Sequence, residues 1–217
     1  MHVVIIPGFT GYPEEITFQE LSQTLLSKGY SVTKVAWPHI PDNLERYSIT
    51  ETLSYSRELL SEVDTKEMVL LGFSMGGIIA SFLAKELSPM KLGLVVTPFQ
   101  AGSKEHLEGK YKQWRIDGYR KLTSSKYGDL TIPFTFIEDA LHYNSLDIID
   151  QIDCPKLFIA AGEDEKVSIQ STKKFFEKAV EPKELKIIEN MQHKYQYQEG
   201  MLEKVNRELV EFIERPL

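Results

Sequence analysis

Six short β-rich runs punctuate this chain, at positions 2–6, 31–36, 67–72, 91–96, 156–161 and 184–189, and those at 2–6, 67–72, 91–96 and 156–161 are nearly all apolar. A strand with one wet face alternates apolar and polar residues; these four do not, so both faces must be covered. Amphipathic helix patterns between them supply the covers. Phe18, Leu21 and Leu25 share a helical face, as do Leu53, Leu60 and Val63. Further stripes are Ile78, Ile79, Phe82, Leu83 and Leu87, then Ile169, Phe175 and Phe176, then Leu202, Val205, Leu209, Phe212 and Ile213. Strand and helix in alternation predict a doubly wound α/β architecture: a mostly parallel sheet of about six strands with helices on both faces.

One stretch breaks the alternation. Between Gln100 and Asp150 the pattern predicts two helices, through Leu107, Tyr111 and Trp114 and through Phe134, Ile137 and Leu141, and no strand. Placed between two strands of the sheet, residues 100–150 would form a small helical cap over the carboxyl ends of the strands, where such sheets bind ligands. At 217 residues, with no repeat or linker, the chain reads as one domain, 1–217, carrying that cap.

Chemistry concentrates at Gly72-Phe73-Ser74-Met75-Gly76, which follows the apolar run Met68–Leu71 and opens the helix pattern at Gly77. Gly-x-Ser-x-Gly between a strand and a helix is the pattern of a nucleophile elbow. The turn is so sharp that side chains two before and two after the serine would collide. Glycine at 72 and 76 removes both clashes, and Gly77 lets the helix pack close to the strand.

A serine hydroxyl is a weak nucleophile until a base takes its proton, so Ser74 calls for a histidine and an orienting acid. Of five histidines, His2 lies in the first strand, His39 in a proline-flanked loop, and His106 and His142 in the expected cap. His193 falls in the loop after the last strand, at the same sheet edge as the elbow. The loop after the preceding strand reads Gly162-Glu163-Asp164-Glu165-Lys166-Val167, and Asp164 is the expected acid. Glu163 and Glu165 alternate with it and are expected to face solvent.

These stretches, with Pro7-Gly8-Phe9-Thr10-Gly11, resemble the α/β-hydrolase superfamily along essentially the whole chain, and small intracellular carboxylesterases within it. The resemblance implies an oxyanion hole built from the backbone N–H groups of Phe9 and Met75. Backbone donors explain how phenylalanine and methionine can serve, each being worth on the order of 3 kcal/mol at the developing charge. The family's opening antiparallel strands are missing, so the sheet is expected to be minimal. The implied activity is hydrolysis of small or medium soluble carboxylic esters; amidase, aminopeptidase or thioesterase chemistry could use the same triad, and a binding protein with little turnover is the remaining class. Trp37, Trp114, Tyr119 and Tyr143 could line a substrate pocket, with core packing an equal reading of each.

Other classes fit poorly. Net charge is −7 and no basic run stands out, which argues against nucleic acid. Gly8-Phe9-Thr10-Gly11 lacks the Gly-Lys-Ser/Thr ending of a phosphate loop. No ligand spacing suggests a metal, and no cofactor is expected. Glu14 and Glu15 are expected at the positive end of the first helix. One cysteine, Cys154, fits a reducing compartment, and the absence of a leader pattern or an apolar span predicts a cytoplasmic protein without a membrane partner.

Overall fold

The computed structural model describes residues 1–103 and 107–216. Six strands, β1 (His2–Ile6), β2 (Ser31–Lys34), β3 (Met68–Phe73), β4 (Lys91–Val95), β7 (Lys156–Ala161) and β8 (Lys183–Ile188), form one sheet in the order β2-β1-β3-β4-β7-β8. Every pairing in it is parallel. The strands fall within two residues of the runs that predict them.

Alternate residues of each strand feed two separate cores. Val4, Ile6 and Leu70 face α2 (Ile49–Leu59), α3 (Gly76–Leu87) and α6 (Ile169–Lys178), joining Leu53, Ile79, Leu83 and Phe175. Val3, Ile5, Val69 and Leu71 face α1 (Ile16–Ser27) and α7 (Met201–Glu214), joining Phe18, Leu21, Leu25, Val205, Leu209 and Ile213. The period of two in the strands meets the period of 3.6 in the helices on both faces, as continuous apolar strands require. α2 ends one residue before Leu60, which is its C-cap, so Val63 packs on the same core from the following turn.

The edge of the sheet opposite the elbow is closed by lysines. Lys91, at the first position of β4, is buried, and its amine donates to the carbonyls of Phe212 and Ile213 at 2.8 and 2.9 Å and to that of Arg215. Lys156 and Lys183 begin the next two strands and do the same for Ile152 and Cys154, and for Phe176 and Ala179. The carbonyls at the C-terminal end of α7 are thereby satisfied by the charge that the helix dipole favours there, and the other two lysines serve carbonyls of the turn before β7 and of the end of α6.

Between β4 and β7 the chain leaves the sheet through a segment that includes two short helices, α4 (Lys112–Asp117) and α5 (Thr135–Ala140); α5 follows the expected pattern, whereas a turn at 109–111 breaks the first expected helix and leaves Leu107 and Tyr111 ahead of α4. The expectation of no strand there is corrected. β5 (Tyr119–Ser124) and β6 (Gly128–Pro133) form an antiparallel hairpin between the two helices. Leu130 and Ile132 are buried while Asp129 and Thr131 are exposed, so the hairpin has one dry face. Asp139 of α5 ties this segment to the body by accepting from the N–H groups of Ile49 and Thr50 at 2.8 and 3.2 Å, at the positive end of α2.

Candidate active site

Strand order decides where the site lies. The chain steps from β1 outward to β2, then returns past β1 to β3, so the loops leaving β1 and β3 diverge at a topological switch point. Those loops are the Pro7–Gly11 segment and the Ser74 turn.

At the turn, Ser74 has φ 51° and its N–H donates to Val95 O at 2.8 Å. A non-glycine residue in this left-handed region is strained and holds its side chain up from the sheet edge. A Cβ on Gly76 would stand 2.2 Å from Ile6 O and 2.4 Å from Pro7 O; one on Gly72 would stand 2.3 Å from the Cα of Gly77. Both glycines are required by close backbone approach. Gly77 lies at the close approach of α3 to β3, and its own Cβ would also meet Thr97, in the segment after β4, at 2.1 Å.

The hydroxyl of Ser74 lies 2.9 Å from Nε2 of His193, and Nδ1 of His193 lies 2.8 and 3.0 Å from the two carboxylate oxygens of Asp164. Three side chains from three distant loops form a continuous hydrogen-bonded line. The Asp164 side chain is 1% exposed and that of His193 9%, so the relay is shielded up to its serine end. Asp164 also accepts from the N–H groups of Lys166 and Val167, both at 2.8 Å, which fixes its rotamer. Glu163 and Glu165 are exposed as expected, but Glu165 additionally accepts a long hydrogen bond, 3.4 Å, from the N–H of His193.

The loops carrying Asp164 and His193 are spliced together. Gly162 N–H donates to Ile188 O and Glu163 N–H to Met191 O, both at 2.8 Å. A Cβ on Gly162 would lie 1.8 Å from Glu189 O, so no other residue fits there.

The loop bearing Phe9 is held from beneath by two aromatic side chains. Trp37 is buried and its indole N–H donates to Pro7 O at 3.0 Å. Tyr47 is buried, and its hydroxyl oxygen accepts from Thr10 N–H at 2.8 Å. Burial pushes the Tyr47 phenol far above its usual range, so it stays neutral. Among the described residues, the N–H groups of Phe9 and Met75 donate to no protein acceptor. Both flank Ser74: the adjacent Gly8 would place a Cβ 3.6 Å from the Ser74 hydroxyl, and Met75 is the N-cap of α3.

The four aromatic residues expected to line a pocket are placed differently from one another. Trp114 is buried, 6.4 Å from the Phe9 ring, and donates to Ile132 O. Trp37 supports Pro7 and is core. Tyr143 pairs with Thr50 and meets Phe82 edge-on, and Tyr119 is exposed on the hairpin. Neither of these two is in hydrogen-bond or ring contact with Ser74, His193 or Phe9. Of the remaining histidines, His2 bonds Thr33, His39 faces Glu51 and His142 bonds Asp139 O; His106 lies outside the described residues. Cys154 is half-buried, and burial pushes its thiol up to about 11, which leaves it un-ionised at neutral pH.

One positioning residue carries no signal in the sequence. Tyr47 reaches the Phe9 loop from 37 positions away. Glu15 stands at the N-cap of α1, at the positive end where it is expected, with its side chain accepting from Tyr12 N–H rather than from the helix, while Glu14 pairs with Lys126 at the hairpin tip.

Among the described residues no helix is long and apolar enough to cross a membrane, and no group of three or more His, Cys, Asp or Glu side chains could hold a metal. No curated protein matches the chain. Solved structures do. A hydrolase from Agrobacterium vitis S4, described as putative, superposes with a TM-score of 0.82 at 18% identity, over 98% of this chain and 88% of that one. Alpha/beta hydrolase domain-containing protein 10 from mouse gives 0.80 at 19% identity, over 98% and 89%. Est1E from Butyrivibrio proteoclasticus, solved with ferulic acid bound, gives 0.74 at 18% identity, over 98% and 87%. The pattern of the family described as PhoPQ-activated pathogenicity-related protein matches residues 108–216, half of the chain. The chain therefore belongs to that family and is built on the α/β-hydrolase fold.

Proposed function

We propose that this protein is a serine hydrolase that cleaves carboxylic esters of small or medium substrates through an acyl-enzyme on Ser74. The reading rests on one observation above all, the unbroken line from Ser74 Oγ through His193 to Asp164. Ser74 attacks the ester carbonyl while His193 Nε2 accepts its proton, and Asp164 holds the imidazole tautomer and stabilises the imidazolium. The oxyanion that forms is met by the N–H groups of Phe9 and Met75, reinforced by the positive end of α3. His193 then protonates the departing alcohol, and water, deprotonated by the same base, releases the acid. Est1E and other neighbours described as esterases, such as one from Exiguobacterium antarcticum, support the ester over other acyl substrates.

Fluorophosphonate labelling and hydrolysis of a 4-nitrophenyl ester test the proposal together. The wild type takes up label and turns over; Ser74→Ala does neither, its rate falling by several orders of magnitude. Equal rates in the two proteins would sink it. Aminoacyl amides and acyl thioesters in the same assay place the bond type, and the ester is expected to give the highest kcat/KM.

A further inference from the structure

Charge is unevenly spread along this acidic chain. Residues 110–126 carry Lys110, Lys112, Arg115, Arg120, Lys121 and Lys126 against one carboxylate, Asp117. That stretch is +5, which leaves −12 on the other 200 residues of a chain whose net charge is −7. The cations are not equivalent. Arg115 pairs with Glu108 at 3.1 Å, Lys126 pairs with Glu14, and Lys121 leans over Tyr119 on the outer face of the hairpin.

Lys110 and Arg120 differ. The amine of Lys110 lies 5.1 Å over the Tyr111 ring, and the guanidinium of Arg120 lies 5.7 Å over the Trp114 ring. Those two rings meet edge to face at 5.8 Å. Two cations are thus stacked on adjoining aromatics, and among the described residues neither has a carboxylate partner. Both residues are exposed, and cation–π contact relieves none of their mutual repulsion. Partial burial of the amine first, and then the Arg120 charge, hold the Lys110 amine below its ordinary pKa. Like charges brought together against a hydrophobic wall with no counter-ion are suited to an anion that arrives with a ligand.

Their position relates them to Ser74. Trp114 lies 6.4 Å from Phe9, so Arg120 is no more than about 12 Å from the Phe9 ring. On the other side, the Tyr111 hydroxyl donates to Ala101 O at 2.8 Å, in the segment that follows β4. α4 therefore bridges the two loops that flank the serine, and the cations sit one aromatic layer beyond Phe9.

We propose that Lys110 and Arg120 bind an anionic group, a carboxylate or a phosphate monoester, on the non-reacting end of the substrate. The inference rests on ester hydrolysis at Ser74 and names the class of ester. The distance calls for a spacer between the scissile carbonyl and the anion, and the site discriminates by charge at the far end of the chain.

The test compares kcat/KM for 4-nitrophenyl butyrate with that for the 4-nitrophenyl half-esters of glutarate, adipate and suberate. A 4-nitrophenyl ester ending in a phosphate monoester is the second arm and tells the two anions apart. The wild type is expected to favour one anionic arm over butyrate. In Lys110→Gln/Arg120→Gln that ratio falls by about tenfold or more, chiefly through KM, and high salt lowers it in the wild type. Lys121→Gln, on the outer face, keeps the wild-type ratio. An equal ratio in all three proteins overturns the proposal and leaves ester hydrolysis standing. If no ester is cleaved by the wild type, the Ser74 reading fails instead. The anion site is then judged by calorimetric binding of monobenzyl glutarate to Ser74→Ala, with and without the two glutamine substitutions: weaker binding with them supports it, and equal binding overturns it. Circular dichroism of each variant confirms that it is folded.

Discussion

Tyr47 offers the sharpest test of how the Phe9 loop is held. Tyr47→Phe removes one oxygen from a ring that is 1% exposed and packed on Trp37, Phe136 and Phe9 at centroid distances of 5.1, 4.9 and 5.8 Å. The ring itself stays, so no sizeable cavity forms. What is lost is the acceptor for Thr10 N–H, in a residue already strained at φ 57°. An orphaned, part-buried donor costs about 1–3 kcal/mol, and that is the expected fall in unfolding free energy by urea titration. The loop can recover part of this by turning Thr10 N–H toward water, which would carry the neighbouring Phe9 N–H off the oxyanion. Full loss of such a donor costs about 3–4 kcal/mol, so partial misalignment should lower kcat about tenfold with KM little changed. Lower stability with unchanged kcat would show that Trp37 alone fixes the loop. Unchanged stability and kcat would refute the reasoning outright.

Three further outcomes are expected. Asp164→Asn keeps an oxygen for the Lys166 and Val167 N–H groups but orients the His193 tautomer wrongly, so ester turnover should fall on the order of 10³–10⁴-fold in a folded protein. Lys91→Met leaves the carbonyls of Phe212, Ile213 and Arg215 without their donor and should destabilise the chain by about 2 kcal/mol in urea, with specific activity of the folded fraction unchanged. Burial raises the Glu15 pKa above its unfolded value, so keeping the carboxylate ionised costs stability above the raised value, and that cost vanishes below the ordinary one. Glu15→Gln should therefore raise the melting temperature at neutral pH, with the gain fading as pH falls through that window; a gain that persists at acid pH would exclude the electrostatic cause.

The sheet was legible because its four central strands are buried on both faces, and an apolar run such as Val3–Ile6 admits few other readings. The elbow was legible because backbone crowding at Gly72 and Gly76 leaves a mark in the sequence itself. The hairpin was not. Tyr119-Arg120-Lys121-Leu122-Thr123 is polar on both faces and reads as loop, and only the Leu130/Ile132 alternation beside Gly128 hinted at a strand. Tyr47 left no mark, since nothing local distinguishes a tyrosine that fills a core from one whose hydroxyl restrains a distant loop. The basic face of α4 and β5 was masked by a net charge averaged over the whole chain.

The splice at Gly162 has a mechanical consequence. With Gly162 pressed against Glu189 and two backbone hydrogen bonds stitching the loops, acid and imidazole travel as one rigid body. The joint left free to open is the torsion that swings the Ser74 hydroxyl. Crystals grown at different pH, or with different occupants, should therefore differ in that single rotor, while the pair behind it superposes.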